Sequence, residues 1–165
     1  NLWGERWAKL VTNCMANPLA GISGLGSGEL GMNQKARKIM INIASEVVKV
    51  AISQNVNVEK IGSASSEAYL NPNQGDNLEE IEAHMIERAE SFTGGRPSLL
   101  QDVLKKRKTE VEFLNGLVSK LGKKKSISTP FNNKIISILN SMPVQKFEPK
   151  IENLDLFDEL LGEDQ

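Results

Sequence analysis

The sequence predicts an all-α fold, a bundle of about six helices, from three observations. Apolar residues recur at intervals of three and four over most of the 165-residue chain, the spacing that gathers them on one face of an α-helix. No segment sustains the alternation of apolar and polar residues that is typical of a half-buried strand. Glycine and proline are sparse except at a few junctions, where they separate the helical patterns.

The first two helices are predicted from their apolar stripes and from the residues at their ends. The first covers residues 2–17, and we expect Pro18 and the glycines after it to end that helix. Asn33 is placed to cap a second helix, which continues to about Gln54. The first helix has Trp3, Trp7, Leu10, Val11, Cys14 and Met15 on one broad face, and the predicted buried stripe of the second is Ile39, Met40, Ile43, Val47, Val50 and Ala51.

A polar loop at residues 63–75 precedes the third predicted helix. Asp76 or Asn77 can cap this helix, whose pattern continues to about Ser91. A short helix or turn follows at residues 98–103. The residues of the third helix that we expect to face the core are Leu78, Ile81, Met85 and Ile86.

A further helix is predicted from Thr109 to about Leu121. Thr109 and Glu112 have the spacing of a capping box, and Gly122 is placed to end the helix. The capping box leaves Glu110 without a structural role. The apolar residues that should face the core are Val111, Phe113, Leu114, Leu117, Val118 and Leu121.

The last helix of the predicted bundle begins near Pro130 and is expected to end before Pro143. We therefore assign residues 1–145 to one domain and residues 146–165 to an acidic, amphipathic tail. The last 15 residues hold six acidic and no basic side chains. Such a tail could be a frayed terminus, or it could dock on its own domain or on a partner. Its apolar residues are Leu154, Leu156, Phe157, Leu160 and Leu161.

Composition and charge exclude several classes of protein. A hydrophobic fraction of 39% with 25% charged residues is typical of a folded, soluble chain. The net charge of −1 gives no reason to expect nucleic acid as a partner, and we interpret the basic runs Lys105–Lys108 and Lys123–Lys125 as solvated surface. No apolar run approaches the roughly 18 residues that span a bilayer. A single cysteine suits a reducing compartment, which predicts a cytoplasmic location.

One polar stripe on the first helix could carry chemistry. Lys9, Asn13 and Asn17 are spaced by four, so their side chains lie along one face beside the apolar stripe. An ammonium group and two amides suit a small oxygen-rich ligand, and the lysine could stabilise developing negative charge. The spacing alone fits either the wall of a cleft or a solvated helix face.

Other constellations are weaker. The glycines between residues 24 and 28 do not follow a strand, and Glu29 stands where the dinucleotide fingerprint needs glycine, so we reject a phosphate loop. His84 and Cys14, each unique in the chain, lack partners at metal-ligand spacing, which predicts no metal site. We expect His84 on a helix surface and Cys14 as a buried thiol.

Several motifs in order along residues 3–139 resemble the C-terminal domain of the ketopantoate reductases (2-dehydropantoate 2-reductases). The motifs are Trp7-Ala-Lys9-Leu-Val-Thr-Asn13-Cys-Met-Ala-Asn17-Pro18-Leu19, Gly28-Glu29-Leu30, Ser98-Leu-Leu-Gln101-Asp102, Thr109-Glu110, Asn115-Gly116 and Thr129-Pro130-Phe131-Asn132. The resemblance implies a helical bundle related to the C-terminal domain of 6-phosphogluconate dehydrogenase, in agreement with the all-α prediction.

The resemblance also implies site residues. Lys9 would be the catalytic lysine, which protonates the ketone oxygen as hydride arrives from NADPH. Asn13 and Asn17 would hold the hydroxyl and carbonyl groups of the substrate, and Ser98 its carboxylate. Glu110 would orient the substrate and the lysine, and it is also expected near the cofactor.

The resemblance implies partners as well. These are a small 2-oxo acid substrate, an N-terminal Rossmann domain that binds NADPH and that this chain lacks, and a second copy in a homodimer. We therefore expect a domain of a longer polypeptide, inactive in isolation. The alternatives are a reductase of another 2-oxo acid, or a non-catalytic helical module used for dimerisation or partner binding.

Overall fold

The computed structural model describes residues 1–92, 95–145 and 148–162, and it confirms the all-α prediction. In these residues the β-type pairing is an isolated bridge between Ile61 and Ala64. Six α-helices of the described residues have seven or more residues, and the other elements are short α-helices and 3₁₀ segments. The elements are α1 (Leu2–Ser23), α2 (Ser27–Met32), α3 (Gln34–Ser53), α4 (Ser66–Leu70), α5 (Asn77–Ser91), α6 (Ser98–Leu104), the 3₁₀ turn η1 (Val111–Phe113), α7 (Asn115–Lys124), α8 (Pro130–Gln145), the 3₁₀ segment η2 (Ile151–Phe157) and α9 (Asp158–Leu161).

Helices α1 and α3 form the centre of the bundle. They pack against each other, α6 and α8 cover one side of α1, and α2 and α5 lie on another. The fully buried side chains at this centre include Val11, Leu19, Ile43 and Val47. Asn33 caps α3 as predicted, since its Oδ1 accepts a hydrogen bond from Ala36 N at 2.9 Å.

Helix α1 does not end at Pro18, contrary to the prediction. It continues to Ser23 and is closed by Gly24, whose φ of 76° is left-handed. Proline removes the N–H that would bond the carbonyl four residues earlier, in this case that of Cys14. Asn115 supplies the missing donor, because its Nδ2 donates to Cys14 O at 3.1 Å. The helix therefore continues through the proline without leaving that carbonyl unpaired.

The predicted helix at 109–121 was also wrong in its beginning and in its buried face. A 3₁₀ turn occupies Val111–Phe113, the backbone breaks at Leu114, and α7 begins at Asn115. The capping box does not form, and Glu112 Oε1 instead accepts a hydrogen bond from Asn140 Nδ2 at 2.8 Å. The break changes the helical phase, so Phe113 is 78% exposed rather than buried. Leu117 is also exposed, and Gly122 lies inside α7.

Smaller corrections concern the other segments. The predicted loop at 63–75 contains the short helix α4, capped by Ser65 Oγ, which accepts from Ala68 N. Leu78 is exposed in the first turn of α5, although Ile81 and Met85 are buried as predicted. Helix α8 begins at Pro130 as predicted but runs on to Gln145, past Pro143.

A buried polar network joins α3, α7 and α8. Glu46 accepts hydrogen bonds from the backbone N–H groups of Phe131 and Asn132, at 2.9 and 3.0 Å, and so caps the N-terminus of α8. Asn132 Nδ2 donates to the same carboxylate at 2.7 Å, and its Oδ1 accepts from Asn115 Nδ2 at 2.9 Å. Burial raises the pKa of Glu46, and these donors act against that rise. The asparagines of the Asn-Gly and Thr-Pro-x-Asn motifs therefore hold the bundle together.

The acidic tail docks on its own domain over its described residues. Leu154 and Phe157 are buried, and the Phe157 ring stacks on Phe131 with centroids 6.3 Å apart. Asn153 Nδ2 donates to Ile22 O at 2.8 Å, close to the end of α1. Lys35 forms an ion pair with Asp155 at 2.7 Å and a second with the next acidic residue of the tail, Asp158. The predicted domain boundary at 145/146 adjoins residues 146 and 147, which lie outside the described residues. The last three residues of the tail also lie outside them.

In the part of the chain that the structure describes, no helix combines the length and the apolar character needed to cross a membrane.

Candidate active site

Asn13 and Asn17, two of the three residues of the predicted polar stripe, lie on the wall of a cavity of about 180 Å³. Both side chains are partly buried. The cavity is enclosed by α1 and α5 with contributions from α2, α3 and the turn at Ile61. Its lining residues are Thr12, Asn13, Met15, Ala16, Asn17, Ser27, Gly31, Met40, Ile61, His84, Met85, Arg88, Ala89 and Phe92.

The position of the asparagine stripe depends on Pro18 and Asn115. Asn13 and Asn17 flank the carbonyl of Cys14, which Pro18 deprives of its helical donor. Asn115 binds that carbonyl from the opposite side of α1, within the buried network. The two asparagines therefore lie on a helix whose backbone is held by the Asn115 hydrogen bond, which suits a site that must keep its geometry.

Helix α5 forms the opposite wall through residues spaced by four. His84, Arg88 and Phe92 repeat at that interval, and Met85 and Ala89 lie beside them. The His84 ring rests on the turn at Gly62, whose φ is 68°. Its Nδ1 lies 2.7 Å from Ser63 Oγ, which orients the ring. This contact fixes the middle of α5 against the turn that closes one end of the cavity.

Helix α2 forms the floor and approaches α5 closely at Gly31. A Cβ atom at this position would lie 2.6 Å from Ala89 Cβ and 2.9 Å from the backbone oxygen of Met85. Only glycine allows this approach, since backbone cannot yield as a flexible side chain can. Ser27, the first residue of α2, adds a hydroxyl to the cavity wall. Six of the fourteen lining side chains are thus polar and the rest are apolar or glycine.

The cavity is electropositive. Arg88 is the one lining residue with a permanent charge, and no carboxylate is among the lining residues. Burial lowers the pKa of His84, and the positive charge of Arg88 lowers it further, while Glu87 acts in the opposite direction. His84 is therefore neutral at pH 7, and the positive charge among the lining residues comes from Arg88.

The structure brings together only part of the predicted site. Lys9 lies one helical turn before Asn13, about 6 Å along α1, and its side chain is exposed. Ser98 begins α6 and is exposed, and Glu110 is exposed just before η1. None of these three side chains lines the cavity. Helix α6 packs on α1 near Gly21, where Leu99 fills the space beside the glycine, so Ser98 lies beyond the Asn17 end of the stripe.

Sequence reasoning missed four polar lining residues. Thr12, Ser27, His84 and Arg88 complete the cavity, and His84 is not the surface residue we predicted. The spacing of four between His84 and Arg88 was a usable signal, but acidic neighbours made that face of α5 look solvated. Cys14 is fully buried as predicted, and burial raises the pKa of its thiol well above the ordinary range.

The family match and the relatives of this chain point to the same family of enzymes. Residues 1–142 match the family described as the ketopantoate reductase PanE/ApbA C terminal. The 2-dehydropantoate 2-reductase of Aquifex aeolicus is 31% identical over 134 residues, 81% of this chain and 38% of that protein. The enzyme of the same name from Escherichia coli O157:H7 is 26% identical over 84% of this chain and 39% of its own length. The chain thus spans about two-fifths of these relatives.

A solved structure with the same fold comes from a differently named enzyme. D-mandelate dehydrogenase in complex with NADH has a TM-score of 0.64 and 25% sequence identity, over 84% of this chain and 50% of that one.

Proposed function

Because this chain belongs to the ketopantoate reductase family through its C-terminal domain, we propose that it is the substrate-binding half of an NADPH-dependent 2-oxo acid reductase. The expected substrate is 2-dehydropantoate, which would make the protein a cytoplasmic enzyme of pantothenate biosynthesis. The observation that supports this best is the placement of Asn13 and Asn17 together on the wall of an electropositive cavity. A second copy of the chain is an expected partner.

The proposed chemistry follows from the residues of α1. When hydride adds to the 2-oxo carbon, negative charge develops on the ketone oxygen, and a cationic donor nearby stabilises and then protonates it. The family resemblance assigns this role to Lys9, which is exposed one helical turn before Asn13. The amides of Asn13 and Asn17 can donate to and accept from the substrate's oxygens, which orients the ketone relative to Lys9.

Ser98 and Glu110 have the supporting roles that the family resemblance implies. Ser98 would contact the substrate carboxylate, and Glu110 would orient the substrate and Lys9. Both side chains are exposed in this chain. Neither side chain lines the cavity, so these two roles require that the bound substrate extend out of the cavity, or that the neighbouring domain bring the ligand to these side chains.

The cofactor would be held mainly by another domain. Among the described residues there is no strand followed by a glycine-rich turn, the combination that cradles a dinucleotide pyrophosphate. The relatives are more than twice as long as this chain, which leaves room for such a domain. A bound nicotinamide would supply the hydride, and this chain would supply the substrate contacts and the proton donor, with Glu110 near the cofactor as the family resemblance implies.

A reductase of another 2-oxo acid is the second candidate. Similarity to D-mandelate dehydrogenase favours it, because that enzyme's name points to an aromatic 2-hydroxy acid. The apolar part of the cavity, which includes three methionines and Phe92, could receive a larger side chain. Comparing 2-dehydropantoate with phenylglyoxylate as substrates distinguishes the two candidates.

The test replaces Lys9 in the complete reductase, that is, this chain together with its nucleotide-binding domain. Lys9→Ala should lower kcat for 2-dehydropantoate by about 10²-fold or more, because the transition state loses its proton donor. Binding of NADPH, measured by fluorescence titration, should stay within a factor of a few. Lys60→Ala, an exposed lysine outside the cavity, is the matched control and should behave like wild type.

Two results would count against the proposal. Undiminished turnover in the Lys9→Ala enzyme would remove Lys9 from the mechanism. A wild-type enzyme that oxidises NADPH with neither 2-oxo acid would contradict the proposed activity itself.

A further inference from the structure

We propose that Arg88, in place of the exposed Ser98, binds the carboxylate of the substrate, which makes the site selective for the acid form of a 2-oxo compound. This inference rests on the proposed function and adds a recognition residue that the family motifs do not contain. The motif residues expected to bind substrate are on α1 and α6, whereas Arg88 is on α5, across the cavity.

The order of contacts along the helices places Arg88 opposite the asparagine stripe. Residues 59–63 connect the beginning of α1 to the beginning of the α5 stripe, through the Glu59 N to Gly4 O hydrogen bond and the Ser63 contact with His84. At the other end, Gly28 of α2, which follows α1 in the chain, lies against Phe92. The two helices therefore line the cavity in the same direction, and Arg88, midway between His84 and Phe92, faces the middle of the α1 stripe.

Arg88 is available for a ligand. The described residues provide no ion pair for its guanidinium, whereas Arg37 of α3 is held by Glu82 at 3.1 Å and by two backbone carbonyls. A guanidinium presents two parallel N–H donors that match the two oxygens of a carboxylate, and such a pair is stronger than a neutral hydrogen bond. The absence of a lining carboxylate means that no protein group competes with the ligand.

The surroundings of Arg88 favour a monoanion with an apolar body. Met85, Ala89 and Phe92 lie on the same wall, and His84 beside it is neutral, so the cavity offers one positive charge. At roughly 10–15 Å³ for each water-sized group, 180 Å³ has room for about a dozen such groups. That is the size of a 2-oxo acid with a short branched or aromatic side chain, oriented by Arg88 at one wall and the asparagines at the other.

The experiment compares an acid with its ester on the 165-residue chain, which contains every lining residue. NMR titrations measure Kd for 2-dehydropantoate and for its methyl ester, which keeps the ketone and the side chain but lacks the charge. Wild type should bind the acid at least tenfold more tightly than the ester. Arg88→Gln should remove this preference by weakening the acid alone, and Arg88→Lys should keep part of it, since it retains the charge but not the bidentate geometry.

Arg107→Gln is the matched control. Arg107 is an exposed arginine in the segment after α6, outside the cavity, and its replacement should leave both Kd values unchanged. A wild-type amide spectrum in each variant, apart from shifts near the replaced residue, shows that the fold is intact.

The outcomes separate the two proposals. If wild type prefers the acid and Arg88→Gln keeps that preference, the role of Arg88 is overturned while the proposed function stands. Equal binding of acid and ester by wild type overturns it as well. If wild type binds neither compound, this chain does not hold the substrate site, and both proposals fall.

Discussion

At the scale of single residues, His84 shows how the cavity couples to stability. Its ring is partly buried between the turn at Gly62 and the side chain of Arg88, and Ser63 donates to or accepts from its Nδ1. Burial and the neighbouring positive charge lower its pKa in the folded protein, so the neutral imidazole is the native form.

This lowered pKa predicts a loss of stability in mild acid. As the pH falls from about 7.5 to about 5.5, the unfolded chain takes up a proton near its ordinary pKa of about 6.5, whereas the folded chain does so only at lower pH. The contribution of His84 is therefore fully present above that pKa and decreases below it. Urea unfolding at the two pH values measures the change in the free energy of unfolding.

His84→Gln is the control for this prediction, because it keeps a polar group beside Ser63 but cannot titrate. The variant should lose less stability than wild type over the same pH interval. Since His84 is the single histidine of the chain, equal losses in the two proteins would show that another group is responsible.

Glu46 is a second residue whose burial and hydrogen bonds could not be expected from its neighbours in the sequence. A glutamate in the middle of an apolar helix looks like a surface position, yet this residue is 6% exposed and its carboxylate caps α8. Three N–H donors make the burial tolerable, because a carboxylate without partners would cost several kcal/mol.

At the scale of secondary-structure elements, α1 depends on a hydrogen bond from the first residue of α7. The carbonyl of Cys14 has lost its helical donor to Pro18 and gains one from Asn115 at the start of α7. The same side chain bonds Asn132 of α8, so α7 and α8 are tied together where they support the asparagine stripe.

A double-mutant cycle tests this arrangement. Asn115→Ala should destabilise the chain by about 1–3 kcal/mol, since it removes the side-chain donor to the buried carbonyl of Cys14 and to Oδ1 of Asn132. In a Pro18→Ala background, the N–H of residue 18 can bond Cys14 O, so Asn115→Ala should cost about 1 kcal/mol less. The free energies of unfolding of the four proteins, measured in urea, give the coupling.

Additive effects in that cycle would mean that Asn115 and Pro18 act independently. In that case the hydrogen bond from Asn115 to Cys14 O would not compensate for the donor that Pro18 removes. Asn115 would then stabilise the chain through its hydrogen bond to Asn132 alone.

At the scale of the whole molecule, the docked tail enlarges the core. Leu154 and Phe157 add buried apolar side chains over α1, α3 and α8, and Asn153 bonds both Ile22 O and Glu148 O. The ion pairs with Lys35 are partly exposed and contribute little by comparison. The apolar contacts therefore account for most of the attachment.

Phe157→Ala should lower the stability of the whole domain by about 3–5 kcal/mol, because a fully buried ring stacked on Phe131 leaves a cavity. The neighbouring Leu156→Ala is the control: Leu156 is 41% exposed, and its replacement should change stability by about 0.5 kcal/mol or less. Thermal unfolding of both variants measures the difference. Similar melting temperatures for Phe157→Ala and wild type would show that the tail is not part of the cooperative core.

The predictions from sequence succeeded where the signal is local and periodic. The stripe of α3, the Asn33 cap and the beginning of α8 at Pro130 each depend on residues within a few turns. Trp3, which the same pattern placed on the apolar face of α1, is 63% exposed. Phe113 and Leu117 were misassigned because the break at Leu114 shifts the helical phase, which periodicity does not reveal.

The asparagine stripe on α1 and the all-α class were readable from spacing, since a helix places residues four apart on one face whatever surrounds it. The cavity was not readable, because its second wall comes from Arg88 and His84, some seventy residues away along the chain. Those side chains meet the stripe only through the packing of α2 against α5 at Gly31. Long-range packing likewise decided that α1 runs through Pro18 and that the tail docks, because in both cases the stabilising partner lies far away in sequence.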